Sequence, residues 1–117
     1  MPVQDASKAI AQAVSSWRGV TTHPHRVGGA EYRFGERREI GHLHGDAVVD
    51  VPIPIKLRDE LIAAGRAEPQ QVFPDLGPAS LILLRGRDDL PRAIELLRLS
   101  YDLAVEQQSP GWPAAEH

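Results

Sequence analysis

One long amphipathic helix near the end of the chain constrains the fold more than any other stretch, because it cannot be stable by itself. From about Asp89 to Gln107, apolar side chains fall at Leu90, Ile94, Leu97, Tyr101 and Val105, a three-and-four spacing that gathers them into one stripe. Asp88 is placed to cap the first turn, and Pro91 lies within that turn, where helices tolerate proline. Such a stripe must be covered by apolar surface from elsewhere in the chain. Most of the remaining segments carry strand patterns, so the expected cover is a sheet.

A first helix is expected from Asp5 to Trp17, with Ala6, Ala9, Ile10, Ala13, Val14 and Trp17 on one face, Asp5 or Ser7 as its cap and Gly19 as its stop. Val20-Thr21-Thr22 favours a short strand, and Pro24, which cannot donate a ladder hydrogen bond, puts it at an edge. Glu31-Tyr32-Arg33-Phe34 alternates polar and aromatic residues, turns at Gly35-Glu36 and returns along Arg37 to His44. After a turn at Gly45-Asp46, Ala47 to Val51 reads as the next strand. Pro52-Ile53-Pro54 stops that strand and sets a proline at the first position of a helix from Ile55 to Ala64. Leu57, Leu61, Ile62 and Ala64 face inward there, and Gly65 is the C-terminal cap. Arg66 to Pro78 reads as a long surface connection of the kind that borders sites. Ser80 to Arg85 is nearly all apolar, as in a strand covered on both faces.

The order α-β-β-β-β-α-β-α predicts an α+β protein: an antiparallel sheet of about five strands with three helices mainly on one face. Residues 1–108 form the single expected domain, and 109–117, with two prolines, read as a flexible tail. A chain of 117 residues can bury one such core without cross-links. It has none to offer, since it contains no cysteine, which excludes disulfides, thiolate metal sites and cysteine nucleophiles and suits the cytoplasm. Thirteen basic against sixteen acidic residues leave a net charge of −3, with no pull toward nucleic acid or anionic membrane. No apolar run reaches membrane-spanning length. The expectation is a cytoplasmic protein without nucleic-acid or membrane partners.

The densest chemistry lies in Glu39-Ile40-Gly41-His42-Leu43-His44-Gly45, where two histidines two residues apart on a strand project from one face. Regular alternation groups Arg38, Ile40, His42 and His44 against Arg37, Glu39, Gly41 and Leu43, and neither set is cleanly apolar. A polar pocket on the sheet would account for this, and so would a bulge at Gly41 that switches the register. As proton-transfer groups, the histidines would be oriented by Glu31 or Glu39, with Arg26 or Arg38 holding an anionic or enolate-like ligand. As metal ligands they would need a third donor from His25, Glu31 or Asp46. As structural residues they would be hydrogen-bonded partners. The glycines Gly41 and Gly45 would let the backbone turn or approach a ligand closely. Gly28-Gly29 lacks the remainder of a phosphate-binding loop, Ser80 lacks a nucleophile elbow, and Trp17 and Tyr101 belong to the buried stripes of their helices.

The run His25-Arg26-x-Gly28-Gly29-x-Glu31-Tyr32, followed by Gly35-Glu36-Arg37-Arg38-Glu39-Ile40-Gly41-His42-Leu43-His44-Gly45, resembles the luciferase-like domain family, small and mostly bacterial proteins similar to fungal luciferases. Asp50 to Pro54, Ala63-Ala64-Gly65-Arg66-Ala67-Glu68-Pro69 and Leu96-Leu97-Arg98-Leu99-Ser100-Tyr101 extend the resemblance over most of residues 17–105. The closing strand, acidic cap, helix and Ser100-Tyr101 are more loosely similar to YjbR-like domains. Fungal luciferases oxidise a hydroxypyrone with molecular oxygen and use no established metal or flavin. The resemblance therefore implies a small organic ligand on the polar sheet face and cofactor-independent oxygenase or other proton-transfer chemistry, an oxidoreductase in the first case. No cofactor and no metal is expected, and light emission is not part of the expectation. His42, His44 and Glu31 are the catalytic candidates, and His25, Arg26, Arg38 and Glu39 the ligand-binding ones. The alternatives are a non-enzymatic binding or interaction module, including a homodimer formed through the sheet edge or concave face, and a histidine metal site.

Overall fold

The computed structural model describes residues 5–24, 29–35, 37–44, 48–68, 79–83 and 88–108, with backbone alone at residue 44, residues 79–83 and residue 108. Three helices and an antiparallel sheet make it the expected α+β class. In chain order the elements are α1 (Ala6–Val14), β1 (Val20–Pro24), β2 (Ala30–Phe34), β3 (Arg38–His44), β4 (Val48–Val51), α2 (Ile55–Ala63), β5 (Ala79–Leu83) and α3 (Asp89–Gln108). Each strand pairs antiparallel with the next, so the sheet order follows the sequence. Helix α3 packs across β2, β3, β4 and β5, and α1 packs on α3. Among the described residues no helix is long and apolar enough to cross a membrane.

Helix α1 is shorter than its apolar pattern. Asp5 adopts a left-handed conformation (φ 59°) and makes no side-chain capping bond, so the cap expected there does not form. The helix stops at Val14, with Ser15 at its C-cap. Gly19 therefore serves the next turn instead of ending the helix. It sits at φ 86°, and a Cβ there would lie 2.6 Å from Phe34 Cε1, so the ring packs directly on the glycine backbone.

Helix α2 starts one residue after Pro54, which occupies the N-cap and not the first helical position. Its buried residues are Arg58 and Leu61, while Ala64, expected inward, is exposed. Gly65 ends it as expected. At φ 75° its N–H donates to the Ile62 carbonyl at 3.0 Å and the N–H of Arg66 donates to the Leu61 carbonyl at 2.8 Å, a Schellman arrangement.

Helix α3 buries Leu90, Ala93, Leu96, Leu97, Ser100, Tyr101 and Ala104, a stripe broader than expected and turned toward small residues. Ile94 and Val105 are only partly buried. The reason is close approach: small side chains bring the helix low over the sheet, where Ile10, Val14, Tyr32, Ile40, Leu43, Val49, Val51 and Leu97 form the fully buried centre. Tyr101 has the packing role expected of it. Its hydroxyl donates to the Arg18 carbonyl at 2.7 Å, and its ring lies 5.3 Å from Trp17 and edge-on to Phe34 at 5.7 Å. The Arg98 guanidinium covers both Trp17 and Tyr101, at 5.2 and 5.0 Å.

The buried Tyr32 hydroxyl and Ser100 Oγ make no hydrogen bond among the described residues, and burial raises the Tyr32 pKa. A buried hydroxyl without a partner opposes folding by roughly 1–3 kcal/mol. Tyr32→Phe and Ser100→Ala should therefore leave the melting temperature unchanged or raise it. A loss of 1 kcal/mol or more in a denaturant titration would show instead that each hydroxyl has a partner, such as a bound water.

Candidate functional site

The site begins with an irregularity in pairing. On β2 and β3 the partners are Glu31 with His42, Tyr32 with Gly41, Arg33 with Glu39 and Phe34 with Arg38, which leaves Ile40 as one extra residue on β3. This is a β-bulge immediately before Gly41. Regular alternation would have kept Arg38 and His42 together. Instead Arg38 stays with Phe34 on the helix side, where its Nη1 donates to Gln107 Oε1 of α3, and Glu39 joins His42 on the opposite face. The contact of 2.7 Å between His42 Nδ1 and Glu39 Oε2 spans three residues, a separation that a regular strand would send to opposite faces.

On that second face the ladder aligns His23, Glu31, His42 and Asp50 as successive partners across β1, β2, β3 and β4. Imidazole and carboxylate alternate along the row. His23 Nε2 lies 2.8 Å from Thr21 Oγ1, and the Thr21 hydroxyl donates to the Gly35 carbonyl. Glu31 Oε2 accepts from Arg33 Nε at 2.7 Å. His42 Nε2 lies 3.3 Å from Asp50 Oδ2.

His42 is thus held at both ring nitrogens, with its side chain 12% exposed and that of Asp50 only 5%. Burial alone would lower its pKa, but the hydrogen bonds to Asp50 and Glu39 and their negative charge outweigh that and raise it to about 9. At neutral pH the ring is an imidazolium donating both N–H groups. In that state its roles are charge stabilisation and hydrogen-bond donation. Among the described residues, no group of three histidine, aspartate or glutamate side chains is placed to hold a metal.

Glu39 has a second exposure. With Arg38, Pro52, Ile53, Pro54 and Gln107 it lines an open cleft of about 400 Å³, within the size range of small-molecule sites. Its lining combines proline and isoleucine with guanidinium, carboxylate and amide groups.

Of the residues singled out in the sequence, His42, Glu31 and Glu39 share one face, and Arg38 meets Glu39 only at the cleft. His44 pairs through its backbone with Val48. His25, Arg26, Gly45 and Asp46 lie outside the described residues, as do most of the 66–78 connection and the tail 109–117. Gly41 needs correcting: what approaches it closely is helix α3. A Cβ there would lie 2.5 Å from Leu97 Cδ2 and 2.9 Å from the Asp50 carbonyl oxygen. Spacing does not single out Asp50 or Arg33, which the structure adds to this face. Asp50 did leave a signal, as the one charge inside the apolar run Val48-Val49-Asp50-Val51.

A family model described as a luciferase domain matches residues 37–100, from the start of β3 into α3. No match was found among curated proteins or among solved structures.

Proposed function

Because the chain belongs to the luciferase domain family, we propose that it binds a small organic ligand in the cleft beside Glu39 and that the His42 cluster supports proton-transfer chemistry there, including oxygenation without a cofactor. The observation that carries this reading is Glu39 itself, a carboxylate that lines the cleft and is held at 2.7 Å by the partly buried His42 ring. The ligand would be amphipathic, with an apolar body against Pro52, Ile53 and Pro54 and a polar end toward Arg38, Glu39 and Gln107. Glu39 would accept a proton from an acidic O–H or C–H of the ligand, and the Arg38 guanidinium, which lines the same cleft, would stabilise the negative charge that develops on the ligand. An enolate-like anion formed this way is electron-rich enough to react with dioxygen directly. Glu31 stands next to His42 in the row and completes its electrostatic setting. His44, His25 and Arg26 enter the reading on sequence grounds alone.

Thermal melts against a panel of small phenols and hydroxypyrones test the binding, and an oxygen electrode tests turnover. A ligand present at a hundred times its Kd should stabilise the protein by about 2.7 kcal/mol. Pro54→Trp, at an exposed residue of the cleft wall, should abolish that shift, and Glu39→Gln should weaken it. Shifts that survive Pro54→Trp would place binding elsewhere and end this reading of the cleft. Binding without oxygen uptake would remove the oxygenase and leave proton transfer alone or a binding module.

A further inference from the structure

An aspartate in the middle of a strand whose neighbours Val49 and Val51 are fully buried is unfavourable unless its charge is matched. Asp50 meets that need through His42, on the ring nitrogen opposite the one that Glu39 takes. Two carboxylates at the two nitrogens fix the ring plane as well as its charge. Among the described residues, the cleft is lined by Glu39 but not by Asp50.

We propose that Asp50 is a positioning residue that acts through His42 on Glu39: it holds the ring so that Nδ1–H points at the Glu39 carboxylate and keeps that carboxylate in place on the cleft wall. The functional consequence rests on the cleft being the ligand site, whereas the arrangement itself is present without ligand. Among the described residues, the charged groups that face the ring are Glu39 on its own strand, Asp50 on β4 and Glu31 on β2, the last ion-paired with Arg33. Gly41 belongs to the same device. Without a side chain it admits the Asp50 backbone, and so brings β4 within reach of His42.

The test is NMR of the full chain with ¹⁵N-labelled histidine, the His42 signals being assigned by their loss in His42→Gln. In the wild type both ring nitrogens should be protonated at pH 7, with Nδ1–H sharp because its bond to Glu39 protects it from exchange. Asp50→Asn, which keeps the shape and removes the charge, should lower the His42 titration midpoint by more than one unit, a more than tenfold change in acidity, and broaden Nδ1–H. An unchanged midpoint with Nδ1–H still sharp would overturn the proposal. Should Asp50→Asn not fold, Glu39→Gln carries the test, since this side chain is one-third exposed. There Nε2–H should stay protected by Asp50, and its loss would refute the assignment, as would an unprotonated Nε2 in the wild type at pH 7. No ligand is involved, so an intact clamp in a protein that binds nothing in the cleft would count against the cleft alone.

Discussion

Gly41→Ala should destabilise the fold by about 3 kcal/mol and lower its melting temperature by roughly 10 °C, a large effect for one added methyl group. The new Cβ would lie 2.5 Å from Leu97 Cδ2 and 2.9 Å from the Asp50 carbonyl oxygen. Leu97 can yield part of the first distance by rotating its tip. The second involves the backbone of β4, which cannot move away without disturbing the pairing of His42 with Asp50. A double-mutant cycle with Leu97→Ala separates the two. Leu97→Ala alone should cost about 3 kcal/mol through the cavity it leaves. The pair should cost about 1 kcal/mol less than the sum, because the leucine clash is gone while the carbonyl clash persists. A Gly41→Ala protein that melts within 2 °C of the wild type would mean that α3 does not lie this close to β3.

The second large effect is a loss of stability in mild alkali. The folded-state pKa of His42 is about 9, above the ordinary value of 6.5, so folding takes up a proton on this ring between those two values. Its contribution is complete below pH 6.5 and disappears as the pH rises through about 9. A shift of that size would correspond to about 3 kcal/mol for a fully desolvated group, and because His42 is only partly buried, solvent screening leaves roughly 2 kcal/mol of it. Urea titrations at pH 6 and pH 9.5 should differ by that amount in the wild type. The difference should largely vanish in His42→Gln, which cannot titrate. Equal pH dependence in the two proteins would remove the imidazolium from its carboxylate clamp.

Both effects arise at places where the sequence was half legible. The pair His42 and His44 drew attention to β3, and the uneven alternation around them already allowed for a bulge. Spacing leaves the partner of His42 open between Glu31 and Glu39, and the structure gives Nδ1 to Glu39. Regular alternation had set Glu39 on the other face, so the clamp could not be read from spacing. Asp50 is eight residues from His42 in sequence and meets it through strand pairing, which local pattern does not encode. Arg38 shows the same limit from the other side, since the bulge leaves it under α3 with Gln107 instead of beside the histidine. Of Asp5 and Ser7, the two caps the sequence offers for α1, Asp5 takes the N-cap position with a left-handed φ of 59° and makes no side-chain capping bond, a local conformation that residue type does not encode.

The sequence by itself determined the elements and their class. A long helix with one apolar stripe needs a sheet beneath it, and Gly35 and Gly65, at φ 72° and 75°, supply turns that L side chains resist. Those are local demands, written in residues a few positions apart. Only the tertiary structure decided which polar groups meet. In a strand with a period of two, a single extra residue reverses every side chain that follows, and the residue next to it, Gly41, is the one that admits Leu97 of α3, more than fifty residues away in the chain. The helix that most constrained the fold thus also packs on the strand whose register joins Glu39, His42 and Asp50.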